Sequence, residues 1–312
     1  MLLLSKSDID GIISMEDVIK AVETAFLAHA KGKTVYPPKT QFMLPTKEWR
    51  WWGFMPAYVE GMGLACKITS EYPEKKAKGL PALSSTIILC DSETGEVKAL
   101  MDGKNLTAIR TGALCALGAD RLARKDASTA SIIGCGIQAR KQLEGLTKVR
   151  KLKKVKVYDV TEAAMDAFIS DMKKLGVPME KSTAEGVLDS DIIVAATVSS
   201  KPVVLGSKIK PGTHVTSIGA HTPDAREVDE EFVRKAKVVV ADSRDALKSG
   251  DLKDYKGQMV EIQEVLAGKK IRTSESDVTF FKSVGTALQD VAIAALVYEK
   301  AKRAGLGKEV AL

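Results

Sequence analysis

The chain has 312 residues, enough for two domains of ordinary size, and 45% of them are hydrophobic, which supplies a substantial core. Its net charge of +7 comes from 47 basic and 40 acidic residues, a mild excess that favours small anionic ligands over nucleic acid. No apolar run approaches the roughly 20 residues needed to span a bilayer, and the N-terminal segment is too short and too soon charged for a signal peptide. We therefore expect a cytoplasmic protein without a membrane partner.

The cysteines and histidines are not arranged as disulfide partners or metal ligands. None of the four cysteines forms a C-x-x-C pair, and each lies in an apolar setting, which favours reduced thiols. The three histidines are too scattered for a recognisable metal motif. The sequence therefore predicts no metal site from these residues, which are Cys66, Cys90, Cys115, Cys135, His29, His214 and His221.

The N-terminal part is predicted to be a helix followed by short strands. Ser14-Met-Glu-Asp17 has the pattern of a capping box and opens an amphipathic helix. Residues 49–56 hold all three tryptophans, which indicates core or interface packing, with a pocket wall as the alternative. Residues 63–70 alternate as a strand does, and Lys67 is the only charge in them. Considered alone, Lys67 is expected at a sheet edge with its ammonium in water.

A long helix is predicted from Asn105 to about Arg124. Leu106, Arg110 and Ala113 are spaced three or four residues apart and therefore share one face. Arg110 lies within this apolar stripe, and a buried guanidinium needs an anionic partner. Two explanations stay open: an internal ion pair, or a clamp for a substrate carboxylate, which guanidinium binds in a two-pronged way.

The centre of the chain carries a glycine-rich turn between an apolar segment and a helical pattern. Residues 131–139 contain G-x-G-x-x-A at Gly134, Gly136 and Ala139. Gly134 allows a sharp turn, Gly136 lets a pyrophosphate approach the backbone, and Ala139 lets the helix pack closely on the strand. Because a helix N-terminus offers unpaired N–H groups to phosphates, the pattern predicts a dinucleotide site.

A second apolar segment ends at Asp159, which lies 25 residues after Gly134 and is placed to bind the adenosine ribose. A carboxylate there repels a 2′-phosphate, so NAD is predicted over NADP. Arg140 and Lys141 instead favour NADP, because cations in the first turn of the helix attract an additional phosphate. The basic run 148–154 is interpreted as a solvated helix end, since no aromatic residues interleave with its charges as nucleic-acid stacking requires.

Apolar segments and helical stretches alternate between Thr129 and about Ser243, which predicts a doubly wound parallel sheet. The polar stretches 195–200 and 217–224 follow two of these segments, at the sheet edge where a cofactor ring and substrate should lie. His221 is either an acid–base group or a loop residue with no role. After Gly250 the chain is predicted to become helical and polar, and a last long helix follows Ser283.

Several motifs together resemble the ornithine cyclodeaminase/mu-crystallin family, most closely its archaeal alanine dehydrogenase branch, over essentially the whole chain. They are far more specific than the glycine turn alone. The motifs are Met55-Pro-Ala57, the strand with Lys67, Gly79-Leu-Pro81, Ala108-Ile-Arg-Thr-Gly112, Ile133-Gly-Cys-Gly-Ile-Gln-Ala139, Lys201-Pro-Val203, Ser217-Ile-Gly-Ala220 and Ser283-Val-Gly-Thr-Ala-Leu-Gln-Asp290.

The resemblance implies an α/β protein in which a Rossmann-type, doubly wound parallel sheet is inserted in a second, α+β domain. The expected NAD(P)-binding domain is 116–283, and the expected substrate-binding and dimerisation domain is 1–115 plus 284–312. In the family the second domain joins its mate in another subunit, so a homodimer is implied.

The resemblance also implies roles for individual residues. Lys67 and Arg110 are expected to hold the substrate next to the nicotinamide, with His221 as a further catalytic candidate. Relatives carry another carboxylate-binding arginine upstream of Met-Pro, and Arg50 is the nearest candidate, at a different offset. The predicted cofactor-binding residues are Gly134, Gly136, Ile137, Gln138, Ala139, Asp159, Thr197, Val198, Ile218, Gly219, Ser283 and Gly285.

The function implied is an NAD(P)-dependent oxidoreductase acting on a small α-amino acid, with L-alanine to pyruvate and ammonia as the first expectation. One alternative is an ornithine cyclodeaminase or a reductase of cyclic imines such as pyrroline-2-carboxylate. Another is a non-catalytic, crystallin-like protein that binds NAD(P)H. Cyclodeaminases carry an aspartate at the position that aligns with His221, which disfavours ornithine cyclisation.

Overall fold

The computed structural model describes residues 1–311, apart from the side chain of Lys76. The chain divides into two compact units, here called unit 1 (Met1–Arg110 and Thr286–Leu312) and unit 2 (Thr111–Gly285). Their boundaries follow residues 110 and 285, where the sequence placed them after residues 115 and 283. Each unit has its own sheet.

The strands and helices are numbered in chain order. The strands are β1 (Leu2–Leu4), β2 (Thr34–Val35), β3 (Thr40–Met43), β4 (Trp51–Val59), β5 (Gly63–Glu71), β6 (Leu83–Cys90), β7 (Val97–Asp102), β8 (Thr129–Ile133), β9 (Lys154–Tyr158), β10 (Met179–Lys181), β11 (Ile192–Ala195), β12 (His214–Ser217), β13 (Val239–Ala241), β14 (Met259–Glu261), β15 (Thr279–Lys282) and β16 (Lys308–Glu309). The α-helices are α1 (Lys6–Ile9), α2 (Met15–Ala30), α3 (Gly103–Leu122), α4 (Ile137–Val149), α5 (Glu162–Met172), α6 (Glu230–Lys235), α7 (Ile262–Leu266) and α8 (Ala287–Ala304).

The sheet of unit 1 is mixed, with strand order β16-β1-β7-β6-β5-β4-β2, and β3 also pairs with β4. The long strands β4 to β7 are antiparallel neighbours, and Lys67 on β5 pairs with Met55 on β4 and Ile87 on β6. Helix α8 packs against β4 and β5, and α2 packs against α8. The predicted start of α2 is confirmed: Ser14 Oγ accepts from the backbone N–H of Asp17, and the Asp17 carboxylate accepts from that of Ser14.

The sheet of unit 2 is parallel throughout, with order β10-β9-β8-β11-β12-β15-β13-β14. Separate apolar clusters hold Ile132 and Ile133, neighbours that point to opposite faces of β8, so both faces are covered. The predicted doubly wound sheet is therefore confirmed. The strand order reverses between β8 and β11, which is the switch point where such sheets bind ligands.

The region after Gly250 differs from its predicted helical character. It contains β14, a short α7, and β15, which lies between β12 and β13 in the sheet. All four residues of β15, Thr279-Phe-Phe-Lys282, are buried, including the lysine. A strand of four residues buried on both faces has no alternating pattern, so periodicity did not reveal it. Among the described residues, no helix combines the length and apolar character required to cross a membrane.

Candidate functional site

The glycine turn of unit 2 has the backbone geometry that its sequence pattern predicts. Gly134 directly follows β8 with φ +91°, and a Cβ there would lie 2.5 Å from the carbonyl oxygen of Ala196. Only glycine fits such a position. Gly136 is the N-cap of α4, and a Cβ there would have no atom within 4 Å, so the space beside this helix N-terminus is open. Ala139 is fully buried where α4 meets the sheet.

A cavity of about 410 Å³ opens beside this turn. Its lining includes Gly134, Gly136, Asp159 and the aliphatic side chains of Val160 and Val198, which are 90% and 100% exposed. Asp159 is fixed at the cavity wall because its two carboxylate oxygens accept from the backbone N–H groups of Cys135 and Thr161, each at 2.9 Å. An open helix N-terminus, a fixed carboxylate and exposed apolar surface fit the pyrophosphate, ribose and base of a dinucleotide.

The two cations at the start of α4 are both engaged by acidic partners. Arg140 pairs with Asp171 at 2.7 Å and stacks on Phe168, and Lys141 pairs with Glu144 at 2.7 Å. Because each cation already has a carboxylate, neither offers the unpaired charge that a 2′-phosphate requires. The geometry thus favours NAD, as does the carboxylate of Asp159, which repels a 2′-phosphate.

The remaining predicted cofactor residues lie along one edge of the same sheet. Three loops follow β11, β12 and β15, adjacent parallel strands whose carboxyl ends share an edge. Ile137, at the start of α4, is 53% exposed, and Gln138 has a buried amide oxygen with no hydrogen-bond partner among the described residues. The residues that the three loops contribute are Thr197, Val198, Ile218, Gly219, Ser283 and Gly285.

Unit 1 contains a buried cluster of charged side chains, here called the cationic cluster: Lys67, Arg110 and Asp290. Lys67 projects from β5 and is 2% exposed, and Arg110 from α3 is 3% exposed. The Lys67 Nζ atom lies 3.0 Å from Asp290 Oδ2, and Arg110 Nε lies 3.1 Å from Asp290 Oδ1. Arg110 Nη1 also donates to the side-chain oxygen of Gln289 at 2.6 Å. The cluster brings together the two cations that the sequence singled out.

The cationic cluster carries two positive side chains and one carboxylate. Burial is the largest cause that lowers the pKa of Lys67, to about 8, and repulsion from Arg110 adds to it, while Asp290 opposes the shift. One carboxylate leaves one cation uncompensated when both are charged. A buried excess of positive charge stabilises an incoming anion, and the fork of Arg110 suits a carboxylate.

Sequence reasoning did not assign a role to Gln289 or Asp290, although both lie in a motif that it singled out. The signal was present in the pattern: both are fully buried in α8 among apolar residues from Ala287 to Ala294. A carboxylate inside such a run requires a cationic partner. Lys67 therefore does not lie at an edge with its ammonium in water, as the strand considered alone suggested.

Two other predicted site residues, Arg50 and His221, each make a contact within their own unit. Arg50 pairs with Glu74 at 2.7 Å and stacks on Tyr72, so its guanidinium is already engaged within unit 1. His221 lies in an exposed loop of unit 2, where Nδ1 is 3.0 Å from the carbonyl oxygen of Gly219.

The cysteines lie in both units, and none is oxidised. All four cysteines are free thiols, and burial raises the pKa of Cys135, within the glycine turn, to about 12, so this thiol is unreactive. Within residues 1–311, no group of three or more histidine, cysteine or acidic side chains is placed to hold a metal ion.

Comparison with known proteins gives a consistent set of relatives. The sequence model described as "Ornithine cyclodeaminase/mu-crystallin family" matches residues 1–305. An alanine dehydrogenase of Archaeoglobus fulgidus is 37% identical, over 99% of this chain and 98% of that protein.

Two solved structures are similar in both sequence and fold. One is the Δ1-pyrroline-2-carboxylate reductase of Thermococcus litoralis in complex with NADH and L-proline, which is 42% identical with a TM-score of 0.94, over 99% of this chain and all of that one. The other is an archaeal alanine dehydrogenase dimer with bound NAD, which is 38% identical with a TM-score of 0.94, over all of this chain and 99% of that one.

Proposed function

The chain belongs to the ornithine cyclodeaminase/mu-crystallin family, and from this premise we propose that it is an NAD-dependent oxidoreductase that interconverts a small α-amino acid and its α-imino acid. The observation that carries the proposal is the cationic cluster. Two buried cations that share one carboxylate form a site for the carboxylate of an amino or imino acid, and burial lowers the pKa of one of them, Lys67, to about 8.

Each side chain of the cluster has a defined task in this proposal. Arg110 clamps the substrate carboxylate with its guanidinium fork. Lys67 donates a proton to the imine nitrogen in the reductive direction and accepts it in the oxidative direction, because a pKa of about 8 leaves both forms populated. Asp290 and Gln289 hold the two cations in place.

The nicotinamide cofactor, when bound, supplies or receives the hydride at Cα. The residues of unit 2 that would hold it are the glycine turn for the pyrophosphate, Asp159 for the ribose, and the loops after β11, β12 and β15 for the nicotinamide end. In this assignment unit 2 is the cofactor domain and unit 1 the substrate domain.

Alanine is the substrate that we propose first, with pyruvate and ammonia as the products of oxidation. The alanine dehydrogenases among the relatives match this chain from end to end at 37% and 38% identity. A small side chain requires little beyond a carboxylate clamp and a proton donor, which the cationic cluster supplies.

A second candidate is the reduction of a cyclic imine, Δ1-pyrroline-2-carboxylate, to L-proline. The observation that favours it is the Thermococcus litoralis reductase, which has 42% identity and was solved with NADH and L-proline. A cyclic imine needs the same clamp and the same single proton, so the cluster suits both substrates.

A homodimer is part of the proposal, because the archaeal alanine dehydrogenase is a dimer. Unit 1 offers a half-exposed aromatic surface for such an interface: Phe42, which is 48% exposed, stacks on Phe54, and Phe54 stacks on Trp52. Aromatic residues of this kind are enriched at protein interfaces.

The test is an absorbance screen at the reduced-nicotinamide band. NADH and NADPH are each combined with ammonia plus a panel of keto acids, and separately with Δ1-pyrroline-2-carboxylate. Oxidation of NADH with pyruvate and ammonia supports the first substrate, and oxidation with the cyclic imine supports the second. Proline formation from ornithine without net NADH use would instead show a cyclodeaminase, and tight NADH binding without any turnover would refute the enzymatic proposal.

A further inference from the structure

A second buried charge cluster lies in unit 2, and the proposed chemistry does not use it. Its centre is Glu227, which is fully buried and lies in the segment of the chain that connects β12 to α6. One carboxylate oxygen, Oε1, accepts from the backbone N–H of Thr197 at 2.6 Å and from the Thr197 hydroxyl at 2.9 Å. The other, Oε2, accepts from the backbone N–H of Gly219 and from the Ser217 hydroxyl, each at 2.7 Å. The carboxylate of Glu227 thus accepts hydrogen bonds from both loops, the one after β11 and the one after β12.

The two loops approach each other too closely for any side chain at Gly219. A Cβ there would lie 1.8 Å from the carbonyl oxygen of Thr197 and 2.6 Å from Glu227 Oε1. Glycine is therefore required by the packing of one loop on the other. The position of each loop depends on the carboxylate that bridges them.

The backbone of Glu227 and the hydroxyl of Ser217 are in turn held by further buried groups. Asp251 Oδ1 accepts from the backbone N–H groups of Glu227 and Val228, at 2.7 and 3.1 Å. Asp251 Oδ2 accepts from Lys282 Nζ at 2.8 Å, and Lys282 also donates to the Ser217 hydroxyl at 2.9 Å. Glu227, Asp251, Lys282 and Ser217 are here called the carboxylate network. Its buried charges are stabilised by one another and by backbone N–H groups.

We propose that Glu227 is a positioning residue that fixes the nicotinamide-binding loops of unit 2 before the cofactor arrives. This inference rests on the proposed function, which assigns Thr197 and Gly219 to the nicotinamide end of NAD. Preformed loops bind a ligand more tightly because they do not have to be ordered on binding.

The chemistry of the contacts explains why this residue is a carboxylate. An ionised carboxylate accepts at both oxygens, whereas the amide of glutamine accepts at one end and donates at the other. In Glu227→Gln, the NH₂ group would face either the N–H of Thr197 or the N–H of Gly219. One loop would then lose its anchor, although size and shape are kept.

The experiment measures the binding of NADH and of ADP to wild type and Glu227→Gln by calorimetry. ADP contains the adenosine and pyrophosphate groups but no nicotinamide, so its binding reports on the cavity beside the glycine turn and not on the loop after β12, which does not line that cavity. Because the loop that loses its anchor must be ordered on binding, NADH should bind about tenfold more weakly or worse in the variant, with ADP binding unchanged. Glu231→Gln, at an exposed glutamate of α6, is the matched control and should bind both ligands as the wild type does.

The possible results separate this inference from the proposed function. The positioning role is overturned, and the proposed function stands, if Glu227→Gln binds NADH as tightly as the wild type does. The same conclusion follows if the variant's affinity for ADP falls by the same factor as its affinity for NADH. If the wild type binds no NADH, the proposed function fails and this inference fails with it.

A second measurement needs no variant and applies even if Glu227→Gln does not fold. Hydrogen exchange in the wild type should be as slow at the amides of Thr197 and Gly219 as in strands β11 and β12, because a buried carboxylate accepts from both. Exchange at the rate of exposed loop amides would overturn the proposal.

Discussion

The cationic cluster of unit 1 and the carboxylate network of unit 2 are both buried, yet their charges are balanced in opposite ways. In the cationic cluster two positive side chains share Asp290, and positive charge is in excess. The carboxylate network contains two acids, Glu227 and Asp251, and one lysine, Lys282, which pairs with Asp251. Backbone N–H groups donate to oxygens of both acids.

The difference is the reason why we propose the cationic cluster, and not the carboxylate network, as the ligand site. Backbone N–H groups are fixed donors, so the acids of the carboxylate network are satisfied within the fold and hold its loops. Among the residues that the structure describes, the side-chain hydrogen bonds of the cations in the cationic cluster go to one carboxylate and one side-chain amide, not to backbone acceptors. We therefore expect the cationic cluster to bind an anionic group of a ligand, and the following predictions test this contrast.

The largest effect is expected from Lys67→Met, which keeps the length of the side chain and removes its amine. Loss of a positioned proton donor lowers rates by roughly 10²- to 10⁴-fold, so turnover should fall by at least about 100-fold while NADH binding stays unchanged. Steady-state kinetics and NADH titration measure both quantities. Lys20→Met, at an exposed lysine of α2, is the control. Near-normal turnover in Lys67→Met would remove the catalytic assignment.

The next largest effect is expected on the stability of Asp290→Asn. Removing the carboxylate leaves two buried cations without their shared partner, and breaking a buried pair in this way destabilises proteins by about 3–5 kcal/mol. Urea unfolding gives the free energy. Glu60→Gln breaks the exposed ion pair with Lys33 and should cost less than about 1 kcal/mol. Equal losses in the two variants would contradict the view that Asp290 neutralises the cluster.

The sequence alone predicted local elements better than the long-range contacts that connect them. Local patterns are enough for the glycine turn, the parallel sheet and the burial of Arg110 in an apolar stripe, because each depends on neighbouring residues. The strand of Lys67 considered alone predicted an exposed ammonium, whereas this lysine is 2% exposed. Asp290 lies 223 residues from Lys67 and 180 from Arg110, and no periodicity links such positions.

The same limit applies to unit 2. Lys282 belongs to a four-residue buried strand that has no local signature, and Glu227 contacts Thr197 from 30 residues away. The sequence identified the two loops as cofactor-binding candidates without indicating the carboxylate that joins them. Side chains that act through long-range packing need the fold to be known first.

The pH dependence of the rate should report the protonation of Lys67. Because burial and Arg110 lower its pKa to about 8, reductive kcat/KM should fall about tenfold per pH unit above 8, and oxidative kcat/KM should rise towards a plateau there. In Asp290→Asn the midpoint should move lower still, since Asp290 raises this pKa. Profiles that are flat between pH 7 and 9 would contradict the assignment.

The same pKa predicts the direction of a change in stability. Free lysine has a pKa of 10.5, so between pH 8 and 10.5 the unfolded chain binds more protons at this position than the folded chain does. The contribution of Lys67 should therefore make the free energy of unfolding larger, and the protein more stable, as the pH rises through that window. Comparing wild type with Lys67→Met by urea unfolding at several pH values isolates this contribution.

The smallest effect is expected at the cofactor site, from Asp159→Ser. Loss of the carboxylate removes repulsion towards a 2′-phosphate, but Arg140 and Lys141 remain paired with Asp171 and Glu144 and add little attraction. The ratio of kcat/KM for NADPH to that for NADH should thus rise by only about tenfold, which corresponds to 1.4 kcal/mol. Asp166→Asn, at an exposed acid on α5, serves as the control.

A ratio that did not change in Asp159→Ser would show that Asp159 acts only by fixing the turn through Cys135 and Thr161. In that case Asp159 would resemble Glu227, an acid satisfied by backbone N–H groups, and the contrast between ligand-binding and loop-fixing charges would have to include the cofactor site itself.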